Sequence, residues 1–169
     1  MNSPLSKQAK SNIRQIFYCF CWIAFIIYLV FLFYVLLFKA DPRFSPLDYT
    51  QAYQASFRKP SNYNLIPFKT IKSYWLTYAG TGSWSAILNL LGNVLAFIPY
   101  GILFPVLTKR QKTFLLTLLS GACLIFLIEG IQLITVWGIL DVDDFFLNIS
   151  GLILGWFIYW LMSRLLTKQ

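Results

Sequence analysis

Four long apolar runs, a charged fraction of only 12%, and basic residues gathered in the short segments between those runs predict an all-α membrane protein. Its fold class is four transmembrane helices with a structured outer loop that carries short interfacial helices. The chain has 169 residues, of which 58% are hydrophobic and 19% aromatic, and the apolar residues come in blocks rather than in the mixed pattern of a soluble domain. The formal charge of +8 does not indicate a nucleic-acid partner, because the bases lie scattered between the apolar blocks. In that position they act as topology signals and as contacts to membrane lipids. The chain has no histidine, so the commonest metal ligand and general base is missing. Cys19, Cys21 and Cys123 all fall inside predicted spans and read as small packing residues rather than a disulfide framework.

Residues 1–14 form a polar tail with Lys7, Lys10 and Arg14. The first span covers residues 15–38, a stretch without charge, and at about 1.5 Å per residue it can cross a hydrocarbon core of about 30 Å. The run is too long for a signal peptide and no small-residue cleavage pattern follows it, so it is expected to stay uncleaved. Residues 39–84 are the outer loop. Ser45-Pro46-Leu47-Asp48 carries the signals of a helix start, and a short helix is expected to about Phe57. An extended piece follows at Asn64-Leu65-Ile66-Pro67-Phe68, then a second short amphipathic helix over Ile71–Tyr78 with Tyr74, Trp75 and Tyr78. Aromatic-rich short helices suit the headgroup level, either as anchors of the loop or as a roof over a site.

Gly80-Thr81-Gly82-Ser83 marks a turn, and the second span runs from about Ser85 to Leu107. Asn89, Asn93, Ala96 and Tyr100 form a polar-to-small stripe that should face the bundle interior. Pro99 removes one backbone bond and is expected to kink the helix, freeing the carbonyl of Leu95, while Gly101 and Pro105 loosen the rest. Lys109-Arg110-Gln111-Lys112 is a tight basic turn. The third span, from near Thr113 to about Val136, places Glu129 inside the membrane, with Gln132 one turn on and Gly121, Ala122 and Ile125 on the same face. The fourth span runs from about Asp144 to Leu161 and presents Asp144, Asn148, Gly151 and Gly155 on one face. The short turn between the third and fourth spans makes them antiparallel neighbours.

The basic residues number three in the amino-terminal tail, three in the Lys109 turn, two after the fourth span and none in the Trp137–Asp144 turn. This distribution predicts a multi-pass protein with both termini cytoplasmic. The six bases of the outer loop, against two acids, run counter to the pattern.

Three of the six acids sit in Asp141-Val142-Asp143-Asp144, directly before an apolar run, and Glu129 on the preceding helix lies at similar depth to Asn148. The expected functional cluster is therefore Glu129, Gln132, Asp141, Asp144 and Asn148, joined by Asn93. No lysine or arginine falls within a span, so Glu129 is either protonated and held by neutral donors or paired with a bound cation or ligand. No cofactor is evident, although a divalent cation could be held by oxygen atoms at Glu129 and Asp144. An acid at the start of a helix also has a purely structural use, as a cap that complements the dipole.

Asn64 to Phe68, the run Asn93-Val94-Leu95-Ala96-Phe97-Ile98-Pro99-Tyr100-Gly101, Glu129 with Gln132, and Asp141 to Asp144 with Asn148 and Gly151 together resemble the VanZ-like family in order and spacing. The resemblance extends from about Asn64 to Gly155 and implies a VanZ-like domain over residues 64–166 with three of the four spans. It implies a small bacterial cell-membrane protein, from a group named for a member that gives low-level resistance to teicoplanin-type glycopeptides. In that pattern Asn64, Pro67, Pro99, Gly101, Gly151 and Gly155 are read as structural motif positions. Many members carry an arginine just before the acidic run, where this chain has Gly138.

Two functions compete on these grounds. One is a membrane protein that alters how the cell envelope meets glycopeptide or lipoglycopeptide antibiotics. The other is a membrane enzyme acting on a lipid-linked or cell-wall precursor with a carboxylate as acid or base. A transporter ranks behind both, because four spans leave little room for a pathway within one chain. No zinc ligand set and no phosphate loop is present.

Overall fold

The computed structural model describes residues 7–38, 63–108, 114–135 and 140–166. The expected helix from Ser45 to Phe57, the Lys109–Lys112 turn and the Gly138 position lie outside the described residues. Five helices and two two-residue strands make up the described chain: α1 (Lys7–Phe38), β1 (Tyr63–Asn64), α2 (Lys69–Thr81), α3 (Trp84–Thr108), α4 (Phe114–Thr135), β2 (Leu140–Asp141) and α5 (Val142–Leu166). Four of them, α1, α3, α4 and α5, are long and apolar enough to cross a membrane, and the fold is that of an all-α membrane protein.

α1 begins before the apolar run, at Lys7, since nothing between Lys7 and Gln15 breaks a helix. Its protein-facing seam is Cys21, Phe25, Leu32 and Leu36, at spacings of four, seven and four. Its other faces leave Ile16, Phe20, Ile27, Val30 and Phe31 exposed, as a lipid-facing surface requires. Only Cys21 of the three cysteines packs inside. Cys19 and Cys123 are exposed on their helices, so the expectation of three packing cysteines holds for one; all three are free thiols.

α3 is the central element and packs against each of the other described helices, α1, α2, α4 and α5. Asn93, Phe97 and Tyr100 are buried and Asn89 and Ala96 half-buried, so the polar stripe does face the interior. Pro99 and Pro105 both lie inside one continuous helix. Near Pro99 the carbonyl of Ala96 accepts from the Tyr28 hydroxyl of α1 at 2.8 Å. This is one residue beyond the carbonyl expected to be freed.

α5 makes its most extensive packing with α3, although its short connection is to α4. The cause is the glycine seam. A Cβ on Gly151 would run into the backbone carbonyl of Val94, one on Gly155 into that of Ile98, and one on Gly101 into Leu152 and Trp156 backbone. These pairings advance together along both chains, so α3 and α5 run parallel with their backbones in direct contact. The α4–α5 contact is made through side chains, with Leu152 seated over Gly121.

At one end of the bundle β1 pairs in parallel with β2, with Tyr63 opposite Leu140 and Asn64 opposite Asp141. Pro67 lies in the turn that leads from β1 into α2. α2 covers the expected Ile71–Tyr78 helix with a residue or more at each end, buries none of its residues, and packs against α3 and α5. It ends at Gly82, whose φ of 69° is a left-handed conformation that glycine adopts without a Cβ penalty, and whose N–H reaches the Tyr78 carbonyl at 2.8 Å.

Candidate functional site

α2 starts badly by its own means. The residue before it, Phe68, has φ 63°, and no side chain of its own supplies the cap. The missing acceptor comes from another helix. Asp143, in the first turn of α5 and fully buried, accepts hydrogen bonds from the backbone N–H groups of Phe68 at 2.5 Å, Thr70 at 2.8 Å and Ile71 at 3.1 Å. A carboxylate at a helix N-terminus satisfies orphan donors and complements the dipole together, here between segments more than seventy residues apart. Asp141 completes the latch: it accepts from Asn64 Nδ2 at 3.1 Å, from the Thr70 hydroxyl at 2.5 Å and from the Asp143 backbone N–H at 2.9 Å. Asn64 Nδ2 also reaches Thr70 Oγ1 at 3.0 Å. Phe68 stacks on Phe146 with ring centroids 6.1 Å apart.

Within the spans the arrangement changes. Asp144 is turned towards α3, where Asn93 Nδ2 donates to its Oδ1. Glu129 on α4 is within electrostatic reach of Asp144 and of Asp141. Glu129 is 6% exposed and Asn148 4%, yet Glu129 Oε2 and Asn148 Oδ1 are both buried without a hydrogen-bond partner. Two buried acceptors without donors, one carboxylate and one amide oxygen, lie near a second carboxylate, Asp144, where the sequence predicts a site. Burying such groups unpaired costs about 1–3 kcal/mol each. Glu129 is six residues from the end of α4 and Asn148 six from the start of α5. At about 1.5 Å per residue both therefore sit roughly 9 Å inside the same end of the bundle.

Five of the six expected cluster residues, Glu129, Asp141, Asp144, Asn148 and Asn93, meet at this end. Gln132 does not join them: its amide donates to the Leu36 carbonyl at 2.9 Å and ties α4 to α1. Asp141 belongs to the latch more than to the intramembrane group. Asp143 and Thr70, absent from the expected cluster, are central to the latch. Asp143 stands about 100° around α5 from Asp144, so a search along one helical face passes it over. The sequence signals for it are three acids in four residues and the use of an acid at a helix start as a cap, which here serves α2. Among the described residues no group of three or more His, Cys, Asp or Glu side chains is arranged to hold a metal ion.

A family model described as VanZ/LLP1 matches residues 25–163, from inside α1 to near the end of α5. No curated protein and no solved structure matches the chain.

Proposed function

The chain belongs to the VanZ/LLP1 family, and from that premise we propose that it modifies the response of the bacterial cell envelope to glycopeptide or lipoglycopeptide antibiotics of the teicoplanin type, through the polar group of Glu129, Asp144, Asn148 and Asn93. The observation that supports this reading is the pair of buried, unpartnered acceptors, Glu129 Oε2 and Asn148 Oδ1, beside Asp144. Single unpartnered polar atoms are also buried at Asn64 Oδ1, Thr117 Oγ1 and Trp156 Nε1; what favours a ligand here is that two lie at one depth near Asp144, where hydrogen-bond donors or positive charge would complete them. In this reading both termini are cytoplasmic, so the group opens towards the outer leaflet and α2 roofs it.

The test is teicoplanin susceptibility of a sensitive host expressing the chain, with membrane abundance measured in parallel. The parent should protect, and Glu129→Gln and Asp144→Asn should lose protection at equal abundance. Variants as protective as the parent would remove the carboxylates from the function, and a parent without effect would remove the glycopeptide role. The orientation is checked separately in a cysteine-free chain with single cysteines at Ser56 and Gln111: the first should label from outside only, the second from inside only.

The closeness of two carboxylates, Glu129 and Asp144, supports a second reading as an enzyme on a lipid-linked envelope precursor, with one of them as acid or base and a divalent cation held between them. Conversion of such a precursor by the purified chain, lost on adding a chelator, would favour this reading over the first.

A further inference from the structure

α2 presents two different sides. At about 100° per residue, the half-buried Thr70, Ile71, Tyr74 and Tyr78 share the side that meets the bundle, and Lys69, Lys72 and Leu76 share the opposite one. That outer side is apolar and basic together. Leu76 is 57% exposed, and Trp75 at its edge 59% exposed. Phe68, just before the helix, is 65% exposed. Lys69 and Lys72 are exposed, and among the described residues neither amine is paired with an acid. A side of this composition is costly in plain water and cannot sink into hydrocarbon, since the ammonium groups must stay hydrated or paired. The headgroup layer satisfies both demands. α2 is also held at that level, because α3 enters its membrane-spanning stretch at Ile87, soon after α2 ends, with Trp84 packed on Tyr78 at 5.2 Å between ring centroids.

We infer that the outer side of α2 is a docking surface for anionic phospholipid headgroups, with Lys69 and Lys72 on the phosphate groups and Leu76 and Trp75 in the upper acyl region. Charge complementarity selects this occupant: two ammonium groups one helical turn apart favour a negatively charged headgroup over a zwitterionic one by about fivefold for each lysine. The latch holds α2 in this position without help from the lysines, since Asp143 and Asp141 bind only the backbone of its first turn and Thr70. The surface lies on the side of α2 away from the bundle and is thus distinct from the carboxylate group in the spans.

The test uses the full chain in lipid nanodiscs, with Cys19→Ser, Cys21→Ala, Cys123→Ser and Leu76→Cys carrying an environment-sensitive fluorophore. Brominated phosphatidylglycerol and brominated phosphatidylcholine are compared as quenchers at the same low mole fraction in otherwise identical discs. Quenching by the phosphatidylglycerol should be several-fold stronger, should fall towards the phosphatidylcholine value as salt is raised, and should lose its excess in Lys69→Gln/Lys72→Gln. Equal quenching by the two lipids, or an excess that survives the double substitution, overturns the inference. So does an absence of quenching by either, which would place the side in water. Disulfide dimers formed by the unlabelled Leu76→Cys chain, together with no quenching of the labelled one, would assign the surface to a second copy of the chain and overturn it as well.

Discussion

The acidic end of this bundle holds two groups of buried polar side chains, each with a carboxylate, that differ in how they are satisfied. In the latch, Asp143 receives three backbone N–H groups, and Asp141 receives an amide, a hydroxyl and a backbone N–H. Six residues into their helices, Glu129 Oε2 and Asn148 Oδ1 receive none. Burial therefore does not separate a structural acid from a candidate functional one. The balance of donors against acceptors does, because a satisfied carboxylate is part of the scaffold and an unsatisfied one is a cost that some other use must justify.

The largest expected effect that would break this contrast belongs to Asp143. Asp143→Ala leaves three backbone donors at the start of α2 without an acceptor and should destabilise the chain by about 3 kcal/mol or more. A melt in detergent within about 0.5 kcal/mol of the parent would mean that water replaces the latch and that it holds nothing. Asp143→Asn should fall between the two, since its amide nitrogen turns a donor towards donors.

Next in size is the glycine seam. Gly151→Ala should cost about 2 kcal/mol, and Gly151→Leu should lower folded yield outright, because the added side chain meets the Val94 carbonyl and forces α3 and α5 apart. Gly130, around whose added Cβ nothing lies within 4 Å, is the matched control, and Gly130→Ala should leave the melt unchanged or slightly raised. Equal losses at both positions would assign the effect to glycine as such rather than to the seam.

The smallest stability effect, and the one that sharpens the comparison most, is at Glu129. Glu129→Gln places an amide donor where Oε2 has no partner, so its melt should stay within about 0.5 kcal/mol of the parent or rise. Asp143→Asn and Glu129→Gln are the same chemical change, one against satisfied oxygens and one against an unsatisfied oxygen. A destabilised Glu129→Gln would show that Glu129 is held as firmly as Asp143.

Much of this is legible in the sequence alone. The length of the apolar runs and the scarcity of charge within them set the four spans, and 3.6-residue periodicity put Asn93, Ile125, Glu129, Asn148 and Gly151 on buried faces. These are local properties, carried by residues a turn or two apart, and lipid enforces them because no span can expose a polar stripe to hydrocarbon. What only the tertiary structure decided is which partner each polar group takes. Asn64 meets Asp141 from 77 residues away, Gln132 meets Leu36 from 96, and Asp143 caps a helix that precedes it by more than seventy. The same holds for α5, which lies closest to α3 although its short connection runs to α4. No spacing rule encodes such pairings, because they follow from where close glycine packing lets two backbones meet, and hydrogen-bonding groups then take whatever donors that packing brings within reach.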